Sequence, residues 1–169
     1  DAVSTKTYIA GFIALLAVEQ ALLGTNSLTA DSIEALAATA QSHLEQFDRS
    51  AHAALDFFGH KSPCNYIARG ASFSRAAMAA LMTVEATKLD STALTGGQFR
   101  HGPLELVREG FRAVLFLGSG VERELNELTA LDIARFKGRC LVIAANPPAS
   151  LRREGIEILE MPDVTPALL

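Results

Sequence analysis

Tryptophan is absent from these 169 residues, and tyrosine and cysteine occur only twice each. So few cysteines exclude a disulfide-stapled scaffold, and neither thiol stands in a CxxC or other metal-ligand spacing. Cys64 and Cys140 each head an apolar run. The expected state is two buried reduced thiols in a cytoplasmic protein, with a disulfide between neighbouring strands as the alternative. Basic residues are also in short supply: 15 Lys and Arg against 19 Asp and Glu give a net charge of −4. That leaves no broad basic surface for nucleic acid. A locally positive site for a small anion remains open on such a protein. Long apolar runs are missing too. The most apolar one, Ile9 to Val18, reads as too short and too interrupted to span a bilayer. Residues 1–10 show no charged start followed by a signal-type core. No membrane partner is expected, and no motif asks for a metal or a cofactor.

What is present suits one domain over residues 1–169, since 49% of the residues are hydrophobic and 20% charged. Asp1 to Leu23 reads as a helix that Ser4 or Thr5 can cap, stopped by Gly24 and Asn26. A second, long helix opens around Asp31, and apolar residues recur every three or four positions to Phe58 before Gly59 closes it. His43 and His52 lie in it without ligand spacing and read as solvated. After Pro63 the pattern changes. Strands are expected at Cys64–Ala68, weakly at Thr92–Leu94, at Arg112–Leu117, at Cys140–Ala145 and at Ile156–Leu159. Helices run from a Ser72 cap to about Lys88 and from Val121 to Phe136. Strand and helix alternate through short Gly-rich turns. That order predicts an α/β three-layer sandwich: a parallel sheet of about five strands with helices on both faces, flavodoxin-like.

In such a sheet, ligands bind beyond the carboxyl ends of the strands. Three turns fall there: Arg69–Ser72, Gly96–His101 and Gly118–Gly120. Gly96 and Gly97 suggest a tight turn, and Pro103 suits a helix start just after His101. A histidine there can transfer protons near neutral pH. Gly118-Ser119-Gly120 lacks a full phosphate-loop pattern, and Glu122 and Glu124 follow it closely, so it reads as a structural turn. Arg69, leaving a strand, is either an anion contact or a packing residue. By position alone Glu85 is a solvated glutamate, in the last turn of its helix and badly placed against the dipole.

Three segments together alter that reading. Ala2-Val3-Ser4-Thr5-Lys6-Thr7-Tyr8, Ala68-Arg69-Gly70-Ala71-Ser72-Phe73 with the alanine-rich helix to Glu85, and Gly97-Gln98-Phe99-Arg100-His101-Gly102-Pro103 resemble segments of the sugar-isomerase (SIS) domain family. The pattern is that of the second lobe in the isomerase half of glutamine–fructose-6-phosphate aminotransferases. The sixteen-residue interval from Glu85 to His101 agrees with it. The resemblance implies a phosphosugar isomerase-type domain acting on a sugar or aminosugar phosphate. Glu85 would shuttle a proton between C1 and C2. His101 would assist ring opening, reaching the site of a neighbouring subunit in a homodimer. Ser4, Arg69 and Arg100 would contact the substrate, and the helix before Gly24 would pack on a preceding lobe. Thr92 and Gln98 stand where the family has carboxylates. They leave a second reading, a regulatory domain that binds sugar phosphate without turnover.

Overall fold

A computed structural model describes residues 5–25, 29–59 and 63–162. Contacts gather the chain into two compact units, Ser50–Met161 and Asp1–Arg49 with Pro162–Leu169. In the first unit in chain order, α1 (Thr5–Leu23) is followed by α2 (Ala30–Glu45), and neither buries a residue. Thr29 caps α2 reciprocally with Ser32. The single long helix expected over residues 31–59 is instead two, α2 and α3 (Phe47–Phe58). The break falls at Gln46, whose N–H closes back on the carbonyls of His43 and Leu44. The apolar period runs through this point with no Gly or Pro to mark it, so spacing alone joined the two helices.

The reading of α1 as too short for a bilayer is also corrected. The helix extends past the Ile9–Val18 run to 19 residues of mean hydropathy 1.4, long and apolar enough by length and composition to cross a membrane. Ile9, Leu15, Val18, Leu22 and Leu23 are exposed around it. A helix apolar on every side is normally covered by something.

The larger unit is the α/β layer sandwich. Strands β1 (Cys64–Ala68), β2 (Ser91–Thr95), β3 (Arg112–Phe116), β4 (Arg139–Ala144) and β5 (Ile156–Glu160) form one sheet in the order β2-β1-β3-β4-β5. Every pairing is parallel; Tyr66 lies beside Ala93 and Val114, and Val114 beside Leu141. Alternate residues feed two cores. On one face Tyr66, Val114 and Leu141 pack with Phe57 of α3 and with Ala76 and Ala80 of α4 (Phe73–Thr87). On the other, Ile67, Leu115 and Val142 pack with Phe99 of α5 (Gly96–Arg100) and Ile133 of α6 (Glu122–Arg135). The run-like hydrophobicity of these strands follows from burial on both faces. Five parallel strands between helical layers is the architecture the sequence pattern predicts.

The two thiols are free and buried. Cys64 belongs to one core and Cys140 to the other, and β3 separates their strands, so no disulfide joins them. Burial pushes the Cys64 thiol up to about 12 and raises Cys140 as well. Only the thiolate is nucleophilic. At pH 8 native Cys64 should therefore react roughly a thousandfold more slowly than a free cysteine, whose pKa is near 8.5. Titration with a disulfide reagent should release two equivalents only on addition of denaturant; rapid labelling of the native protein would contradict this packing.

Candidate functional site

β1 pairs with β2 on one side and β3 on the other. The chain leaves β1 for one edge and later returns to the opposite side. Their carboxyl ends therefore flank the topological switch point, where sheets of this type hold ligands. The turns after β1, β2 and β3 all lie at this end.

The β1 turn enters α4 through a 3-10 turn, Gly70–Ser72. Ser72 occupies the N-cap position of α4 but makes no capping bond, contrary to the sequence expectation. Its nearly buried hydroxyl instead faces Gly118: a Cβ there would lie 3.2 Å from the Ser72 Oγ. Gly118 and Gly120 have φ of 71° and 67°, values that glycine adopts without strain.

Beneath Gly118 sits Asn126, fully buried on α6. Its Nδ2 donates to the carbonyls of Phe116 (3.3 Å), the last residue of β3, and Leu117 (3.0 Å), the residue after it, and its Oδ1 has no partner among the described residues. Arg123 donates to the carbonyls of Gly118 (3.3 Å), Ala145 (3.2 Å) and Asn146 (2.5 Å), clamping the β3 and β4 turns together. Sequence reasoning passed over both residues. The available signal was Asn126 falling four and seven positions before Ala130 and Ile133, a polar residue on the buried stripe of α6.

Gly96 and Gly97 do not form the expected tight turn. They open α5, which Thr95 and Gln98 cap reciprocally; the Gln98 Oε1 accepts from the Thr95 N–H at 2.9 Å. Neither glycine has positive φ among the described residues. At position 96 the need is for space. A Cβ there would meet the Arg69 Nε at 2.4 Å. Arg69 is half-buried, and its Nε is buried without a hydrogen-bond partner.

The other anticipated residues distribute as follows. Arg100 pairs with Asp132 at 2.5 Å and reaches the Thr129 hydroxyl, so its charge is spent holding α5 to α6. His101 follows α5 as its C-cap, and the helix start expected just after it is only a 3-10 turn, Pro103–Leu106. Its ring is exposed, and among the described residues it has no hydrogen-bond partner. Glu85 is exposed in the last turns of α4, with no side-chain partner among the described residues. Twelve residues separate it from Phe73, about 18 Å along the helix, so it stands away from the crevice of its own chain. Ser4 lies outside the described residues. Arg69 and the start of α5 therefore meet at the crevice, while Glu85 and His101 are presented outward. An open hollow of about 480 Å³ between Leu131, Asp132, Arg135 and Arg153 involves none of these except the Arg100 partner Asp132.

The C-terminal domain of an aminotransferase has the same architecture. The C-terminal domain of glucosamine-fructose-6-phosphate aminotransferase from Francisella tularensis superposes with a TM-score of 0.69 at 17% identity, over 78% of this chain and 37% of that one. This is a sugar-isomerase (SIS) fold. Tagatose-6-phosphate ketose/aldose isomerase from Escherichia coli shares it, with a TM-score of 0.56 at 23% identity over 76% of this chain and 39% of that one. In sequence, the chain is 30% identical over 112 residues to the isomerizing glutamine–fructose-6-phosphate aminotransferase of Oceanobacillus iheyensis, 63% of this chain. It spans 19% of that relative's length. No family model matches the chain.

Proposed function

We propose that this chain is one lobe of a phosphosugar isomerase, binding a sugar or aminosugar phosphate for aldose–ketose interconversion. The observation that carries the reading is a pair of groups: Glu85 and His101 stand at the family interval on a SIS fold, exposed and without internal partners. A carboxylate can remove a carbon-bound proton at C2 and return it at C1, and an imidazole can pass protons to and from the ring oxygen. Neither side chain has a fold-holding role that would explain it otherwise.

The crevice rule and the unpartnered Arg69 Nε support a phosphate site at the β1 turn. Glu85, about 18 Å away on α4, then acts on a sugar held in the crevice of a second lobe or a second copy. Such a site belongs to an interface, which gives a homodimer with His101 crossing between subunits. Ser4 contributes from the segment before α1. Arg100, tied to Asp132, fixes the His101 turn instead of touching the sugar. The exposed apolar α1 packs on a preceding lobe, and the assembly is cytoplasmic.

A thermal-shift series on the full chain tests binding. Aldohexose, ketohexose and aminohexose 6-phosphates are added to concentrations far above millimolar affinity. A ligand at 100 times its dissociation constant should add about 2.7 kcal/mol of stability. No rise in the unfolding midpoint with any of them would remove the phosphosugar reading.

A further inference from the structure

The crevice occupies the carboxyl end of the sheet. At the amino end, where α6 finishes and the chain enters β5, lies the open hollow of about 480 Å³. Arg135 stands twelve residues beyond Arg123, about 18 Å along α6 from the clamp on the β3 and β4 turns. Leu131, Asp132, Ala134 and Arg135 line the hollow from α6, and Arg153 and Glu154 line it from the turn before β5. Its volume falls within the roughly 300–1,000 Å³ of small-molecule sites.

Two guanidinium groups line it without ion-pair partners. Arg153 spends only its Nε, on the Ser150 carbonyl at 3.0 Å, and Arg135 only overlies the Phe136 ring, 6.0 Å from its centroid. Neither makes an ion pair among the described residues. Acids are close to both in the sequence. Asp132 precedes Arg135 by three residues, a spacing at which helices pair acid with base, yet Arg100 takes it at 2.5 Å. Glu154 follows Arg153 directly and remains exposed, without a partner among the described residues. With Asp132 neutralised by Arg100, the hollow sets two guanidinium groups against one carboxylate.

The walls are fixed before any ligand arrives. Gly155 sits so close to α6 that a Cβ would lie 3.2 Å from the Gly138 carbonyl oxygen and 3.3 Å from the Ala134 Cβ. Its own carbonyl accepts from the Cys140 N–H at 2.8 Å. The turn that carries Arg153 is thereby held on the end of α6, and a preformed site has little to order on binding. The helix end does not repel an anion as an open one would. The carbonyls of Asp132, Ile133 and Ala134 accept the N–H groups of Phe136, Gly138 and Lys137. Half-buried Leu131 and Ala134 add an apolar floor.

We propose that this hollow binds a small organic oxyanion, a carboxylate or phosphate on a short apolar frame. Arg135 and Arg153 take the oxyanion, and Leu131 and Ala134 take the frame. The planar guanidinium fork matches both anions, and a charge-assisted bond to either is stronger than a neutral one. Glu154 opposes the anion from the rim, so removing its charge tightens binding. The site is independent of the isomerase reading, which rests on Glu85 and His101.

NMR titration of the full chain with succinate and with butyl phosphate provides the test, against sodium chloride at equal ionic strength to remove general screening. Saturable amide shifts are expected at residues 131–135 and 153–155 with at least one of the two anions, and the tighter binder tells carboxylate from phosphate. Arg135→Gln and Arg153→Gln should each weaken that binding about tenfold. Glu154→Gln should tighten it roughly twofold. Arg69→Gln, at the crevice, should leave it unchanged. Unfolding midpoints verify that each variant is folded. Shifts confined to the crevice, shifts that chloride reproduces, or an affinity that survives both arginine substitutions overturns the assignment.

Discussion

Glu85→Gln is expected to slow exchange of the C1/C2 proton of a bound sugar phosphate by roughly 10²–10⁴-fold, the usual worth of one positioned acid–base group. The amide keeps the shape of the side chain and removes its capacity to take a proton. Nothing in the fold depends on the charge: Glu85 is exposed, and only its backbone carbonyl is engaged, by the Lys88 ammonium at 2.6 Å. The stability of the variant should therefore stay within about 0.5 kcal/mol of the parent, as for other surface substitutions. The affinity for the sugar phosphate should change little, since the crevice at Arg69 lies at the other end of α4. The measurement is incorporation of deuterium at C1 or C2 in heavy water, followed by NMR on the assembled full-length protein. Equal exchange in variant and parent would remove Glu85 from the mechanism. It would leave the regulatory reading, in which the lobe binds a sugar phosphate and turns nothing over.

The sheet was legible because both of its faces are covered. Ala113-Val114-Leu115-Phe116 and Cys140-Leu141-Val142-Ile143 are unbroken apolar runs, and a run of that length between Gly-rich turns has few other uses. The helices were less legible where burial does not discipline the pattern. α2 and α3 read as one because their exposed residues tolerate the same period on either side of Gln46. Gly96 was read for conformational freedom, whereas what it provides is room for the Arg69 guanidinium, a tertiary demand that no local pattern reveals. Gln98 had looked like a lost carboxylate. In the structure it completes the cap of α5, a task glutamine and glutamate perform alike.

The site divides along the same line. Arg69 and the three turns follow from topology, because any sheet of this order puts its β1 and β3 turns side by side. Glu85 and His101 stand out only through the family interval between two exposed residues. The proposed chemistry would need a surface that this lobe alone does not supply. Arg100 shows the opposite failure. It is adjacent to His101 in sequence, yet Asp132, 32 residues later, claims its charge.

Phe99→Ala should cost about 3–5 kcal/mol, the range for emptying a buried aromatic site, and is the most damaging single truncation expected in the His101 turn. Phe99 is fully buried and packs in the core shared with Ile67, Leu115 and Ile133, its ring 6.1 Å from that of Phe111. α5 has only five residues, too few to persist without tertiary support. Three attachments hold it: the Thr95–Gln98 cap, the Arg100–Asp132 pair and the Phe99 ring. The ion pair is partly exposed, so screening leaves it a small share. The ring supplies most of the anchoring. Its removal should therefore loosen the turn that presents His101 as well as lower the global stability. Denaturant unfolding should show a fall in midpoint. Hydrogen exchange in the native protein should accelerate over residues 96–106 beyond what global unfolding explains. A loss below about 1 kcal/mol would mean that the cavity collapses freely. Unchanged exchange in this segment would mean that the cap and the ion pair, rather than the core, set the position of the histidine.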